Sequence, residues 1–327
     1  MKQTTIETEG QKPLVSICCL TYNHAPYIRR TLDGFLMQET EYPLEIVIHD
    51  DASTDGAQDI IRKYASRKPE LYRLILQSEN QWSKVGDAVT RNLIDAASGK
   101  YVLFCEGDDY WTDPQKINKQ VDYMEAHPEC SMCIHAVNVV NLAGESVIKT
   151  GEKHAAEGDR DFTADEIIGA QPGTTCTCSY CMRREYMENW PEFFKVADVG
   201  DYPLSILMAI HGTVHYMDEI MADYLEMHPG SWSDVTYKDM DRILQHARNR
   251  RQVLLLLNEY TNGQYEETIG AQVLQAEYHI ASLSHDYKAL TGRKLRTIVR
   301  EHHGLRERIK FVLKRIFPFL EGIRSKK

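Results

Sequence analysis

Tyr101-Val102-Leu103-Phe104-Cys105-Glu106-Gly107-Asp108-Asp109-Tyr110-Trp111 begins as a short apolar run and breaks into glycine and two adjacent carboxylates. An apolar run of strand length that stops in this way reads as a buried strand whose end opens on a crevice. Two neighbouring carboxylates repel each other there unless a cation sits between them. Taken alone, the residues equally admit a solvated turn, or an aspartate capping a helix that begins near Pro114.

The preceding hundred residues favour the crevice. Residues 14–20 form a continuous apolar run ending in Thr21-Tyr22-Asn23-His24, and a periodic helical segment follows over residues 26–37. Residues 44–49 give a second strand ending in Asp50-Asp51, and then a helix is expected over 57–65. A third strand at 72–76, a third helix at 85–97 and a fourth strand at 100–104 complete a β-α-β series. That alternation predicts an α/β fold, a mostly parallel sheet flanked by helices, with its ligand crevice at the strand C-termini. Thr21-Tyr22-Asn23, Asp50-Asp51 and Asp108-Asp109 then share one rim. Neither GxGxxG after the first strand nor GxxxxGK[ST] occurs, so the usual glycine-rich phosphate cradles are missing. Acids on a sheet rim instead favour Mg²⁺ or Mn²⁺, whose oxygen shell a diphosphate can complete.

Composition sets wider bounds. The chain has 327 residues, 43% hydrophobic and 26% charged, as expected of a globular protein with a substantial core. Its net charge of −10 is unevenly distributed: residues 293–327 hold 12 Lys and Arg against 3 Glu, or +9, which leaves −19 on residues 1–292. The acidic body is a poor surface for nucleic acid, and no nucleic-acid partner is expected. Residues 1–12 are a polar leader without the pattern of a secretory signal, and no apolar segment approaches the ~20 residues of a membrane span. Both point to the cytoplasm. Cys130-x-x-Cys133 and Cys178-x-x-Cys181 lie in runs that read as strands, where i and i+3 face opposite ways. Buried thiols are the default for them, with a zinc site the less favoured alternative.

Four motifs in order carry a resemblance. They are Val15-Ser16-Ile17 with Thr21-Tyr22-Asn23; Glu45 through Asp50-Asp51-Ala52-Ser53-Thr54-Asp55-Gly56; Arg91-Asn92 with Ala97-Ser98-Gly99-Lys100-Tyr101; and Glu106-Gly107-Asp108-Asp109-Tyr110-Trp111. Together they resemble the family 2 glycosyltransferases of the GT-A fold, and the segment after Asp108 resembles the bacterial capsule and O-antigen members. The resemblance spans residues 13–233 and implies an inverting, metal-dependent transferase. Such an enzyme moves a sugar from a nucleotide-diphosphate donor, most simply a UDP-sugar, to a hydroxyl of a surface polysaccharide or lipid-linked oligosaccharide. It further implies donor contacts from Thr21, Tyr22, Asn23, Asp51, Arg91 and Asp108, with Tyr22 against the base and Asp51 at the base edge. Asp109 would hold Mn²⁺ or Mg²⁺, and Tyr110 and Trp111 would face the acceptor, with packing beneath the helix from Pro114 as the plainer role of both. Leu20 replaces a usual proline, and Glu106 stands where many relatives have aspartate.

Downstream, residues 143–161 read as a mobile loop on the acceptor side, Thr163 as a helix cap boxed with Glu166, and residues 174–183 as a strand. Val199-Gly200-Asp201-Tyr202 opens a helix expected over 203–210. An inverting displacement needs one carboxylate to take the acceptor proton, and Asp201 resembles that catalytic base, with a helix N-cap as its plainer role and Asp198 as its nearest competitor. Many relatives carry arginine where Leu225 or Glu226 stands, which leaves phosphate or metal contact to His228; a loop histidine is the alternative. Residues 234–327 read as helices. The tail places Leu305, Ile309, Val312, Leu313, Ile316, Phe317 and Leu320 on one stripe with Arg and Lys off it. That pattern suits an anionic membrane surface at the inner face of the plasma membrane; docking on the acidic body or on a second copy are the alternatives.

Overall fold

Val15–Thr21 (β1) bears out the reading of an uninterrupted apolar run: all of it but Leu20 is buried, so the strand is covered on both faces. The computed structural model containing it describes residues 12–85, 88–147, 152–170, 174–226 and 228–317. Ile28–Leu36 (α1) follows and turns Ile28, Thr31, Leu32 and Phe35 inward at helical spacing. Next come Leu44–Asp50 (β2), Ala57–Ala65 (α2), Tyr72–Leu76 (β3), Trp82–Val85 (α3), Ala88–Asp95 (α4) and Tyr101–Phe104 (β4). Four parallel strands result, ordered β3-β2-β1-β4.

The second half of the sheet is built from Tyr110–Trp111 (β5), Cys130–Val140 (β6), Glu152–Lys153 (β7), Arg160–Phe162 (β8), Cys181–Arg183 (β9) and Thr213–Leu225 (β10). Its order continues β4-β9-β6-β10-β5, with β7 on β6 and β8 on β10. Short β9 runs antiparallel to both β4 and β6, and β6 is parallel to β10, so β4, β6 and β10 share one direction. The sheet is therefore mostly parallel. Helices Lys116–Ala126 (α5), Ala164–Gly169 (α6), Glu192–Lys195 (α7) and Asp201–Ala209 (α8) accompany these strands. Thr163 caps α6 in a reciprocal box with Glu166, as the sequence implies.

Three local expectations need correction. Residues 143–161 are not one loop, because β7 and β8 within them pair with the sheet. Residues 174–183 are mostly irregular: a turn of 3₁₀ helix at Thr177–Ser179 precedes the three-residue β9. The 13-residue β10 escaped the sequence reading because Asp218 and Glu219 interrupt its apolar alternation, and its register shifts between Met217 and Ile220 to absorb them.

A division into two compact units falls between His228 and Pro229. The second unit holds Trp232–Tyr237 (α9), Met240–Tyr260 (α10), Glu266–Leu283 (α11), Tyr287–Leu290 (α12), Arg296–His302 (α13) and Leu305–Ile316 (α14). Among the described residues no helix is long and apolar enough to cross a membrane.

The first unit's core contains an unusual buried cation. All eight cysteines are buried free thiols, and Cys133 sits opposite Cys181 across β6 and β9. Lys116, fully buried at the start of α5, has Cys181, Cys105, Cys178 and Cys133 within electrostatic range. Its Nζ donates to Gln120 Oε1 at 2.6 Å and lies 4.3 Å from the Trp111 ring centroid. Desolvation, only partly countered by the thiols, lowers its pKa to about 8.

This sets a pH dependence. With the folded value below the unfolded 10.5, the unfolded chain holds one more proton from about pH 8 to 10.5, so raising the pH through that window favours the folded state through this group. Unfolding titrations of Lys116→Met and the parent should therefore diverge in the parent's favour by about 3 kcal/mol across the window. A difference that does not change with pH would show that Lys116 keeps its proton in the core.

Candidate functional site

The C-terminal ends of β1 and β2 lie side by side, with Thr21 opposite Asp50. Beyond them the two chain segments are laced together. Asn23 N donates to Ser53 Oγ at 2.8 Å, Thr54 N to Asn23 Oδ1 at 2.8 Å, and Ala25 N to Asp55 Oδ2 at 2.7 Å. Asn23 (φ 55°) and Ala52 (φ 65°) both hold left-handed backbone, which costs alanine more than asparagine. Strain kept at a rim by surrounding hydrogen bonds is characteristic of ligand-holding loops.

β4 runs out along the same edge. Cys105 N donates to Cys18 O at 3.0 Å and Gly107 N to Leu20 O at 2.9 Å, so the chain follows β1 beyond the last paired strand residue. A Cβ on Gly107 would stand 2.6 Å from Thr21 Oγ1, 2.7 Å from Thr21 Cβ and 3.0 Å from His24 Nδ1. Only glycine allows this approach. From the other side, the buried Thr31 hydroxyl of α1 reaches the carbonyls of Gly107 and Asp109 at 3.0 and 2.7 Å. The acidic turn is thus clamped between β1 and α1.

Successive residues of this turn diverge. Asp108 faces the rim, where Oδ2 lies 2.7 Å from His228 Nε2 and Oδ1 lies 3.7 Å from His24 Nδ1. One donor atom from each of His24, Asp108 and His228 falls within 4.8 Å of the others. Among the described residues, the buried Asp108 Oδ1 and His24 Nδ1 have no hydrogen-bond partner. The Tyr27 ring, 4.9 Å from that of His228, backs the cluster. Burial pushes the Asp108 carboxyl upward, but the charge of His24 and the hydrogen bond and charge of His228 outweigh it and hold the group below its ordinary value. Two imidazoles, one carboxylate and two unsatisfied atoms facing each other fit a divalent cation.

Asp109 turns inward instead. It is 1% exposed, and its Oδ1 accepts the Leu225 N–H at 2.8 Å. Desolvation first, then the charges of Asp108 and Glu106, raise its carboxyl well above the usual range. Sequence reasoning gave the cation to Asp109 with His228; the residues gathered around His228 are Asp108 and His24. His24 was quoted at the end of the first strand but given no role. No spacing rule links positions 24, 108 and 228; only the sheet order does.

The remaining candidates are spread along the rim. Tyr22, just beyond the end of β1, is 45% exposed. Asp51 is buried, and its two oxygens accept Gln81 N at 2.6 Å and Trp82 N at 2.9 Å, so it anchors the segment after β3. Carboxylate oxygens can each accept a further bond. Arg91 lies on α4 with its buried Nε lacking a hydrogen-bond partner among the described residues. Glu106 accepts from Thr177 Oγ1 at 3.0 Å. Tyr110 is half-buried beside Arg30, whose guanidinium lies 5.7 Å from its ring centroid. Trp111 corrects the acceptor-side expectation. Strand alternation on β5 sends it into the core, 1% exposed, where its Nε1 donates to Cys178 O at 3.0 Å.

Asp201 is the first residue of α8 rather than its cap, which is Gly200, and its Oδ1 accepts the Tyr202 N–H at 2.7 Å. A buried thiol relates it to the acidic turn. Burial raises the Cys176 pKa to about 12; Lys153 opposes that rise, and Asp109, Asp201 and Glu226 add to it. Asp201 and Asp109 therefore both act on the field at one buried thiol.

Comparison with known proteins identifies the family and the fold. The model of "Glycosyl transferase family 2" matches residues 16–189. The UDP-Glc:alpha-D-GlcNAc-diphosphoundecaprenol beta-1,3-glucosyltransferase WfaP of Escherichia coli is 38% identical over 240 residues, 70% of this chain and 83% of that protein. An uncharacterized protein of Mycobacterium tuberculosis is 37% identical over 219 residues, 67% of this chain, and the match spans 60% of that protein. Among solved structures, residues 1–349 of Staphylococcus aureus TarS bound to UDP-GlcNAc align with TM-score 0.53 and 18% identity, covering 82% of this chain and 81% of that one. That likeness is one of fold. With the family model spanning the acid-bearing rim strands and WfaP matched over 83% of its length, the chain belongs to glycosyl transferase family 2.

Proposed function

We propose that the protein transfers a hexose from a UDP-sugar to a hydroxyl of a lipid-linked or surface glycan, inverting the anomeric carbon, with a divalent cation held by Asp108, His228 and His24. The observation that carries this reading is the pairing of unsatisfied Asp108 Oδ1 with unsatisfied His24 Nδ1 beside His228, at the C-terminal rim of the parallel strands. The UDP-linked donor and lipid-linked acceptor are suggested by what the WfaP name states of that relative. Two nitrogen donors favour Mn²⁺ over Mg²⁺, which prefers an all-oxygen shell.

When bound, such an ion supplies positive charge to the departing diphosphate. Tyr22 would stack on the base, with Asp51 and the laced loop of Asn23 fixing its edge. Thr21, whose buried Oγ1 lacks a partner among the described residues, and Arg91 would meet ribose or phosphate oxygens. Asp201 would accept the acceptor's proton, Glu106 would hold the turn through Thr177, and Tyr110 would border the acceptor.

The cation assignment separates the two neighbouring aspartates. Calorimetric titration with Mn²⁺ and UDP should lose measurable metal binding in Asp108→Asn, whereas Asp109→Asn should stay within a few-fold of the parent. The opposite ranking would return the metal to Asp109. For the base, Asp201→Asn should lower turnover of a UDP-sugar on a lipid-linked glycan by about 10²–10⁴-fold while leaving UDP affinity unchanged. Near-parental turnover would remove Asp201 from that role.

A further inference from the structure

Helix α14 sits on its own unit by one face and leaves another open. Phe311 packs against Tyr287 with ring centroids 5.9 Å apart, Lys314 Nζ donates to Tyr287 Oη at 3.1 Å, and Arg315 donates to Thr291 Oγ1 at 3.0 Å. Glu307, the one acid of the helix, pairs with His303. These contacts join α14 to α12 and α13 through residues that belong to the helix's less apolar side.

On the opposite side, Leu305, Ile309, Val312, Leu313 and Ile316 fall within a strip about 100° wide at helical spacing. All five are exposed, Leu305 by 66% and Ile316 by 59%. The strip is therefore not what holds the helix in place. Around the same axis, Arg306 and Lys310 lie along one border, and Arg308 and Arg315 along the other. The wider segment 293–327 carries +9.

From this arrangement we infer that α14 is a docking surface for an anionic lipid bilayer, lying flat with its strip in the headgroup region and both cationic borders on lipid phosphates. A cation row on each side of an apolar strip suits a planar sheet of negative charge. It argues against a second copy, because face-to-face pairing of two strips would set Arg and Lys rows against each other. Several exposed apolar side chains on one helix face also exceed what a solvated surface helix needs. The inference concerns the second unit alone and stands whether or not the rim binds Mn²⁺.

Sedimentation of the full chain with vesicles tests it directly. The parent should pellet with phosphatidylcholine vesicles containing about 30% phosphatidylglycerol, should not pellet with phosphatidylcholine alone, and should be released by salt. Because the substituted positions are exposed, Ile309→Glu/Ile316→Glu and Arg306→Glu/Lys310→Glu should keep the parental melting curve, and each should weaken vesicle affinity at least about tenfold. Equal binding by the parent and both variants, or equal binding to neutral vesicles, would overturn the proposal. So would failure of the parent to pellet together with a dimer, seen by sedimentation velocity, that Ile309→Glu/Ile316→Glu turns into monomer; that result would assign the strip to a second copy.

Discussion

The approach of Gly107 to the end of β1 is the constraint on which the rim depends. Its N–H closes on Leu20 O while the space a side chain would need is already filled by Thr21 and His24. That single contact brings the turn after β4 against the turn after β1. It sets Asp108 beside His24, although 84 positions separate them in the chain. Thr31 secures the same turn from α1 through two carbonyls, so its backbone is fixed before any ligand contributes. Preorganisation of this kind matters because Asp109 is buried and Asp108 only partly exposed, and a loosely held carboxylate would move toward water rather than keep its geometry.

Burial then gives the two neighbours different electrostatic characters. Asp108 meets two imidazoles and is held below its ordinary pKa, whereas Asp109 meets like charge and desolvation and is driven well above it. Two like charges side by side in a buried turn do not both ionise easily, and the environment resolves this by pushing their titrations apart. The backbone N–H of Leu225 offsets only part of the burden on Asp109. A cation at Asp108 would ease the rest. The titrations of Asp108 and Asp109 are therefore coupled to each other, and an ion bound at one would be felt by the other.

Much of this was legible in the residues. Apolar runs ending near Thr21 and Phe104, and the apolar centre Ile46-Val47-Ile48 before Asp50, mark the parallel strands and their common rim, because strands covered on both faces show little polar alternation. What the chain did not reveal was direction within the acidic turn. Asp108 and Asp109 are the same residue type one position apart, and which of them faces the rim follows from contacts with Leu225, Thr31 and His24 that lie far off in sequence. Trp111 carries the same ambiguity, since an indole in this motif reads either as an acceptor face or as packing until Cys178 O is found to take its N–H.

β10 supplies the last piece. Its end gives the Leu225 N–H to Asp109, and three residues further on the chain gives His228 to Asp108, so one segment completes the partners of both acids. Pairing of β10 with β6 and β5 is what carries these residues to the rim. Until that long-range pairing forms, Asp109 lacks its donor and the His24–Asp108 pair lacks its third member. The order of assembly is then fixed by topology: a competent cation site cannot precede docking of β10, and ion binding would stabilise the strand least evident from the sequence.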